Sequence, residues 1–488
     1  MRSRWTAALA VFALLGFVPQ AQASDDVEQR LQQMQDRLQQ MEERLQATDD
    51  QLDAANERVE EQSELIESAG LADTRGASSG LGFLMCELTI GGWVAASYIY
   101  NLNDPNDSDN FYDELNPGPD GGLAGTNQGL NGGFYPLHPD HNSFSLDQVW
   151  WEIEREVNEE HRAGFRTDFV YGKTATFLNG GGPSARKGFE GDNGEALRDD
   201  SALYIHQAYV QYLAPFDLGN DSGVTFKFGK FATLLGTEVA GTVYNWQMTR
   251  GNVWNLLEPI DHIGVLASTN LAGLEFAIGG VNGFAPDDPD RNDEKSVIGR
   301  IGWAGETVSA AVNGIWGAEN NGSDGDPRGT LNGYVRWDPS DRFGMWLNGD
   351  YVIFNNEGLG DWDDNPRAWG VALAGRYGIT ERTGFALRGE YVADQDRGLG
   401  FISEDDLDGN FFQDDVTGVR IWGVTATLDH LLTDHLMVRA EGRFDRIYKD
   451  DGDDGEFFQN SDYFDHLQQR QITVGLEVVY NFNKFHGE

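Results

Sequence analysis

The sequence predicts an all-β transmembrane barrel of about 16 antiparallel strands, preceded by an α-helical coiled coil. Three observations carry this. The last strand, Gln471 to Asn483, places Ile472, Val474, Leu476, Val478, Tyr480 and Phe482 on every second position, with Thr473, Gly475, Glu477, Val479 and Asn481 between them. Strict alternation marks a strand, and the run is as long as the 9–11 or so tilted residues a bilayer requires. Short and long connections alternate along the chain, as in an up-and-down membrane barrel with short turns on one side and long loops on the other. Near the N-terminus, apolar residues recur every seven positions.

The elements follow in order. Arg2 and Arg4, the apolar run Ala7 to Val18 and Ala21-Gln22-Ala23 make residues 1–23 a secretory signal. In 24–68, Leu31, Leu38, Leu45, Leu52, Val59 and Ile66 keep a heptad period, with Val27, Met34, Met41, Thr48, Ala55 and Gln62 in the second core position. Such a seam specifies a left-handed coiled coil roughly 60 Å long. Residues 69–86 begin rich in Gly, Ala and Ser and read as a flexible linker. The barrel occupies 87–488. Its strand candidates are 88–100, 146–155, 162–172, 203–213, 224–231, 262–269, 273–282, 296–303, 307–317, 330–337, 343–352, 368–377, 383–392, 420–428, 435–446 and 471–482. An even strand number returns both termini to one side, which places the coiled coil in the periplasm.

Composition agrees. The chain has 488 residues, 61 of them glycine, and its formal charge is −45. Cys86 is the single cysteine, so an intramolecular disulfide is excluded. After the signal no apolar stretch is long enough for a helical span. Trp151, Trp303, Trp316, Trp337, Trp369 and Trp422, with Tyr98, Tyr100, Tyr171, Tyr377 and Tyr480, fall near strand ends or on outward positions and suit interfacial girdles. Charged wall positions must face inward, because Arg or Lys in mid-bilayer costs about 2–4 kcal/mol. These are Arg166, Asp168, Lys227, Glu275, Arg300, Arg336, Asp350, Arg376, Arg388, Glu390, Arg439, Glu441, Arg443 and Asp445. For any one of them, ion pairing that stiffens the wall and solute recognition are both open.

The stretches IGGWVAASYIYN, LDQVWWEIER, AGFRTDFVYG, HQAYVQYLAP, FKFGKFATLLGTEV, YNWQMTR and EPIDHIGVLAS resemble the OmpL-like β-barrel porin family across the first half of the barrel. The resemblance implies passive diffusion of small hydrophilic solutes through the outer membrane of a Gram-negative-type bacterium. The N-terminal heptads look like those of other porins that assemble into trimers. In general porins the third outer loop enters the barrel. Here that position is 232–261, a connection rich in Leu, Val and Trp rather than Asp. Exposed apolar patches need a partner, so this connection is expected to fold inward, with Glu238, Asn245, Arg250, Glu258 and His262 at the narrowest point and Arg250 facing carboxylates.

The other long connections are acidic. Residues 101–145 carry seven acids and no Lys or Arg, consistent with solvated surface, a cation-attracting funnel or divalent-ion binding. No phosphate loop, metal-ligand spacing or nucleophile motif is present. Neither an enzyme, a cofactor, a resident metal nor a nucleic-acid partner is expected. The expected partners are membrane lipid, small solutes and further copies of the chain. A rival reading makes the barrel an anchor and the coiled coil a tether to the cell wall.

The heptads give a direct expectation. Light scattering in detergent should show a trimer for the full chain and a smaller species after deletion of Ser24 to Gly82. Identical monomers would remove the oligomerising role of the heptads.

Overall fold

The computed structural model describes residues 88–103, 137–138, 142–179, 203–216, 223–284, 294–318, 327–353, 367–394, 401–402, 416–449, 470–483 and 485. The signal segment, the heptads, the linker and most of the acidic connections lie outside the described residues.

Sixteen strands form one closed antiparallel sheet. They are β1 (Thr89–Asn101), β2 (Ser143–Arg155), β3 (Ala163–Tyr171), β4 (Leu203–Ala214), β5 (Val224–Ala232), β6 (Asp261–Leu271), β7 (Leu274–Val281), β8 (Ser296–Ala304), β9 (Val308–Ala318), β10 (Pro327–Ser340), β11 (Phe343–Ile353), β12 (Arg367–Gly378), β13 (Thr383–Asp394), β16 (Val419–Leu431), β17 (Leu436–Lys449) and β18 (Arg470–Asn481). Each matches one sequence-derived candidate within a few residues. β14 (Phe401–Ile402) and β15 (Val416–Thr417) form a separate two-residue ladder in the connection between β13 and β16. The ring closes where β1 pairs with β18, from Trp93 opposite Asn481 to Asn101 opposite Thr473. Closure satisfies the edge N–H and C=O groups that hydrocarbon cannot.

The alternation of the sequence is the inside and outside of the wall. On β18, Ile472, Val474, Leu476, Val478 and Tyr480 are 38–48% exposed, while Gln471, Thr473, Glu477 and Val479 are at most 4% exposed. β11 repeats this, with Leu347 and Tyr351 outward and Trp346, Asn348 and Asp350 inward. Aromatics gather at both rims. Trp303, Trp337, Tyr377 and Tyr480 sit near the short turns, and Trp316, Tyr351 and Trp422 near the long connections. Near the long-connection rim, Trp369, Tyr391 and Trp422 contact one another in sequence in tilted and edge-to-face geometry, with centroids 5.2 and 4.8 Å apart.

The turns are correspondingly tight. Between β6 and β7, Leu271 faces Leu274 and only Ala272 and Gly273 intervene, at φ 52° and 81°. Two consecutive positive φ values define the turn whose twist suits a hairpin. Two of the long connections carry short helices that alternation did not foresee: α1 (Lys173–Asn179) and α2 (Asn252–Leu257).

A charge on the outer wall tests which solvent it meets. Leu347→Arg, at the middle of β11, should destabilise the barrel by about 2–4 kcal/mol in vesicle unfolding. Leu432→Arg, in a short turn, should cost less than about 1 kcal/mol. Equal costs would show that β11 does not face hydrocarbon.

Candidate functional site

The connection 233–260 lies against the inner wall. Its polar groups bond side chains from β10, β11, β13, β17, β18 and β2. The strands that receive it explain why so many inner positions are charged.

Three wall arginines act as clamps. Arg388 on β13 donates from Nη1 to Glu238 Oε1 at 2.6 Å and to the Thr249 carbonyl at 2.9 Å. Arg443 on β17 donates to the Arg250 carbonyl at 2.6 Å and the Asn252 side-chain oxygen at 2.7 Å, and its Nε pairs with Asp445 at 2.9 Å. Arg439 donates to the carbonyls of Asn245 and Gln247 at 2.9 and 3.1 Å, and from Nε to Glu477 at 2.6 Å. The carboxylates are arranged in the opposite sense. Glu441 accepts the Met248 and Thr249 backbone N–H groups at 2.7 and 3.1 Å. Glu390 accepts those of Asn252 and Val253 at the start of α2, where the unpaired N–H groups favour a negative charge.

These contacts place the residues that the sequence set at the constriction. Glu238, Asn245, Arg250, Glu258 and His262 are all buried. Arg250 is 2% exposed, and it donates to the carbonyls of Val239, Met248 and Ala240 at 2.6, 2.8 and 2.9 Å. It therefore braces its own connection rather than facing carboxylates across a gap. Burial, with Arg439 and Arg388 nearby, lowers its pKa to about 10, against the attraction of Glu238 and Glu477, and it stays charged at neutral pH. Asn245 staples the connection internally by bonds to Val239 and Gly241. His262 joins the Gly283 carbonyl and Thr233 Oγ1, each at 3.1 Å, and fastens the stem. Arg388, Glu390, Arg439 and Glu441 likewise grip the connection instead of lining open space. Inward burial was legible in the sequence. The distinction between a clamp and a lining residue needed the position of the inserted segment.

The other half of the wall keeps several charged side chains partly exposed. On β2 and β3, Arg166 reaches Asp168 at 2.9 Å and Glu152 and Glu154 at 3.1 Å each. Asp168 is buried beneath it and also accepts from Gln207. Lys227 on β5 lies 4.6 Å from the Tyr209 ring centroid. Arg300 on β8 pairs with Glu275 at 3.0 Å and donates to Tyr334 at 2.6 Å. Opposite this face the inserted segment presents Tyr244, 58% exposed, whose hydroxyl meets Glu152 at 2.9 Å, and Val239. Tyr244, Tyr209, Glu152 and Glu154 were missed as site residues; their inward parity on β2 and β4 was the available signal for three of them. Arg336 pairs with Asp338 at 2.6 Å near the short-turn rim and lies over Trp246 of the inserted segment.

Between the two halves runs a ladder across four strands. Arg300 donates to Asn313 at 3.1 Å, Asn313 to Asn332 at 2.8 Å, and Asn332 to Asn348 at 2.9 Å. Asn348 donates to Glu258 Oε1 at 2.7 Å and to Asp350 at 2.9 Å. Gly236, at φ +82°, lets Glu258 in, since a Cβ there would lie 1.8 Å from Glu258 Oε2. Burial, then the negative charge of Asp350, raises the Glu258 carboxyl well above its ordinary range.

Residues 87–482 match the family model described as "Putative beta-barrel porin-2, OmpL-like". No curated protein matches the chain. Among solved structures, the trimer form of OmpT, an outer membrane protein of Vibrio cholerae, is similar at 10% identity and a TM-score of 0.47, covering 81% of this chain and 99% of that one. An anion-selective porin from Comamonas acidovorans is similar at 9% identity and 0.45, with coverage of 81% and 99%. Salmonella typhi OmpF in complex with daunomycin is similar at 10% identity and 0.40, with coverage of 81% and 97%. At these identities the likeness is one of fold alone.

Glu258 makes the seating of the inserted segment depend on pH. A carboxyl whose folded pKa is raised binds more protons folded than unfolded. Its destabilising effect is therefore absent below its ordinary pKa of 4.5 and grows as pH rises above it. The slope is about 1.4 kcal/mol per pH unit up to the raised value. Glu258→Gln should flatten the alkaline decline of thermal stability. An unchanged pH profile in the variant would clear Glu258 of this role.

Proposed function

The chain belongs to the OmpL-like β-barrel porin family, and from that premise we propose that it is a water-filled outer-membrane channel for passive diffusion of small hydrophilic solutes and ions. The observation that carries this reading is the division of the inner wall. Clamps from β13, β17 and β18 hold the inserted segment, and the wall from β2 to β8 keeps a mixed set of partly exposed charges.

In this reading, residues 232–261 narrow the passage by bulk rather than by their charged side chains. The permeant passes between Tyr244 and Val239 on one side and Arg166, Glu152, Glu154, Lys227, Glu275 and Arg300 on the other. Fixed charges of both signs at a narrow point select by size and by local field rather than for one ion sign. The clamps are costly to build and costly to break. A buried charge stripped of its partner destabilises by about 3–5 kcal/mol, so each arginine is held only where the segment completes its bonds. The N-terminal heptads of the full chain would gather copies, with a trimer as the expected number.

Single-channel recording in planar bilayers tests this. The wild type should give stepwise currents. Tyr244→Ala should raise unit conductance while leaving stability nearly unchanged. Arg388→Ala should release the segment, raising conductance and its noise and lowering the unfolding temperature. Arg166→Ala should shift the reversal potential toward cation preference. A silent wild type would favour the tether reading, in which the barrel is only an anchor.

A further inference from the structure

One group of buried side chains meets the clamps at a single residue, Glu477, and is otherwise separate from them and from the accessible wall. His138 comes from the first long connection, Asp147 from β2 and Glu477 from β18. All three are at least 95% buried by side-chain and residue exposure. One donor atom from each lies within 4.8 Å of the other two. His138 Nε2 is 4.0 Å from Asp147 Oδ2, beyond hydrogen-bond reach. Both ring nitrogens of His138 are buried, and neither makes a hydrogen bond among the described residues. A buried polar group in that state costs about 1–3 kcal/mol and calls for a partner between the three residues.

Local structure aims these groups on purpose. β1 and β2 slip register between Ala95 and Ala96: Ala95 faces Gln148 and Ala96 faces Leu146, so Asp147 is the extra residue of a β-bulge. A bulge re-aims a side chain. Here it turns both Asp147 and Gln148 inward, and both are buried. Leu137 anchors the preceding position within a cluster that includes Trp93 and Trp150. Glu477 Oε1 accepts Thr242 Oγ1 at 2.9 Å, and Oε2 takes the Arg439 Nε–H at 2.6 Å. A carboxylate offers about four lone-pair sites, so neither bond exhausts it.

We propose that His138, Asp147 and Glu477 form a binding site for one divalent transition-metal ion. One imidazole and two carboxylates suit a borderline cation such as Zn2+, whereas Mg2+ and Ca2+ prefer all-oxygen shells. Burial, then the positive charges of Arg250, Arg439 and Arg443, lowers the His138 pKa to about 3, so its ring is already neutral and loses no proton on ligation. The same arginines would repel a cation, but Arg443 is paired with Asp445 at 2.9 Å, Arg439 with Glu477, and Arg250 feels the opposing charge of Glu238. The site has a structural consequence. An ion there ties the first long connection to β2 and to β18, beside the closure of the barrel. It also shares Glu477 with Thr242 of the inserted segment. Binding does not depend on conduction, so the site stands or falls apart from the channel reading.

The test uses the untagged full chain, folded in detergent and stripped with EDTA. Zn2+ is titrated calorimetrically with excess Mg2+ and Ca2+ present, and bound metal is counted by mass spectrometry after gel filtration. Co2+ supplies an optical signature of imidazole and carboxylate ligation. The expected result is one Zn2+ per chain in the wild type and in His435→Ala, a control histidine in a short turn. His138→Ala and Asp147→Asn should each weaken binding at least tenfold. His138→Ala deletes a polar group that makes no hydrogen bond, so it should fold without metal, as circular dichroism would show. If the wild type binds no Zn2+, or if folded His138→Ala binds it as tightly as the wild type, the assignment is wrong.

Discussion

Backbone polarity in hydrocarbon is the constraint on which everything else here depends. A strand in lipid cannot leave an N–H or C=O unpaired, so the sheet must close on itself. Sixteen strands meet that demand when β1 pairs with β18. Closure then forces two faces of opposite chemistry on every strand. The outer face takes Ile, Val, Leu and aromatics, with Arg367, Arg420, Arg446 and Arg470 near the long-connection rim, and the inner face takes the charges deeper in the wall. It also creates an interior too wide for wall side chains alone to fill.

The inserted connection answers that interior. Its apolar side chains, among them Val253, Leu256 and Leu257, pack with Trp346 and the small inner residues Ala368, Ala372 and Ala374. Gly370 allows the closest approach, because a Cβ there would lie 2.7 Å from Leu257 Cδ1. Around this apolar contact the arginines and carboxylates finish the backbone hydrogen bonds of a segment with little regular structure. A buried ion pair contributes modestly to net stability, yet an unmatched one is heavily penalised. The clamps therefore fix position more than they add strength. More than six charge-assisted bonds converge on the segment from β13, β17 and β18.

The division of the interior has a chemical logic. The β13 to β18 side turns most of its buried charges to the segment, and the β2 to β8 side keeps several, Arg166 and Glu275 among them, partly exposed. Tyr244 joins the two regimes, since its ring packs edge-on against Trp93 at 5.5 Å while its hydroxyl reaches Glu152. The Asn313, Asn332 and Asn348 ladder marks the seam, passing hydrogen bonds from accessible Arg300 to buried Glu258. Side chains of the same type thus serve opposite ends according to which arc of the barrel they occupy.

Period-two alternation by itself determined the strand count, the direction most wall residues face and the alternation of short turns with long connections, because those properties are local to a strand and its turn. The β18 pattern of Ile472 to Tyr480 is as plain in the sequence as in the barrel. The apolar composition of 232–261 also marked it as unlike its acidic neighbours. What alternation could not supply was the identity of each partner. Arg166 and Arg388 look alike as inward arginines, yet one is accessible beside Glu152 and the other is sealed against Glu238. Arg250 reads as a cation facing carboxylates at the narrowest point but directs its donors to three carbonyls of its own connection. Asp147 reads as one more strand residue until a slipped register turns it inward beside His138. These roles depend on residues tens to hundreds of positions apart meeting across a closed ring. That meeting was decided only when the tertiary structure brought the segment and the wall together.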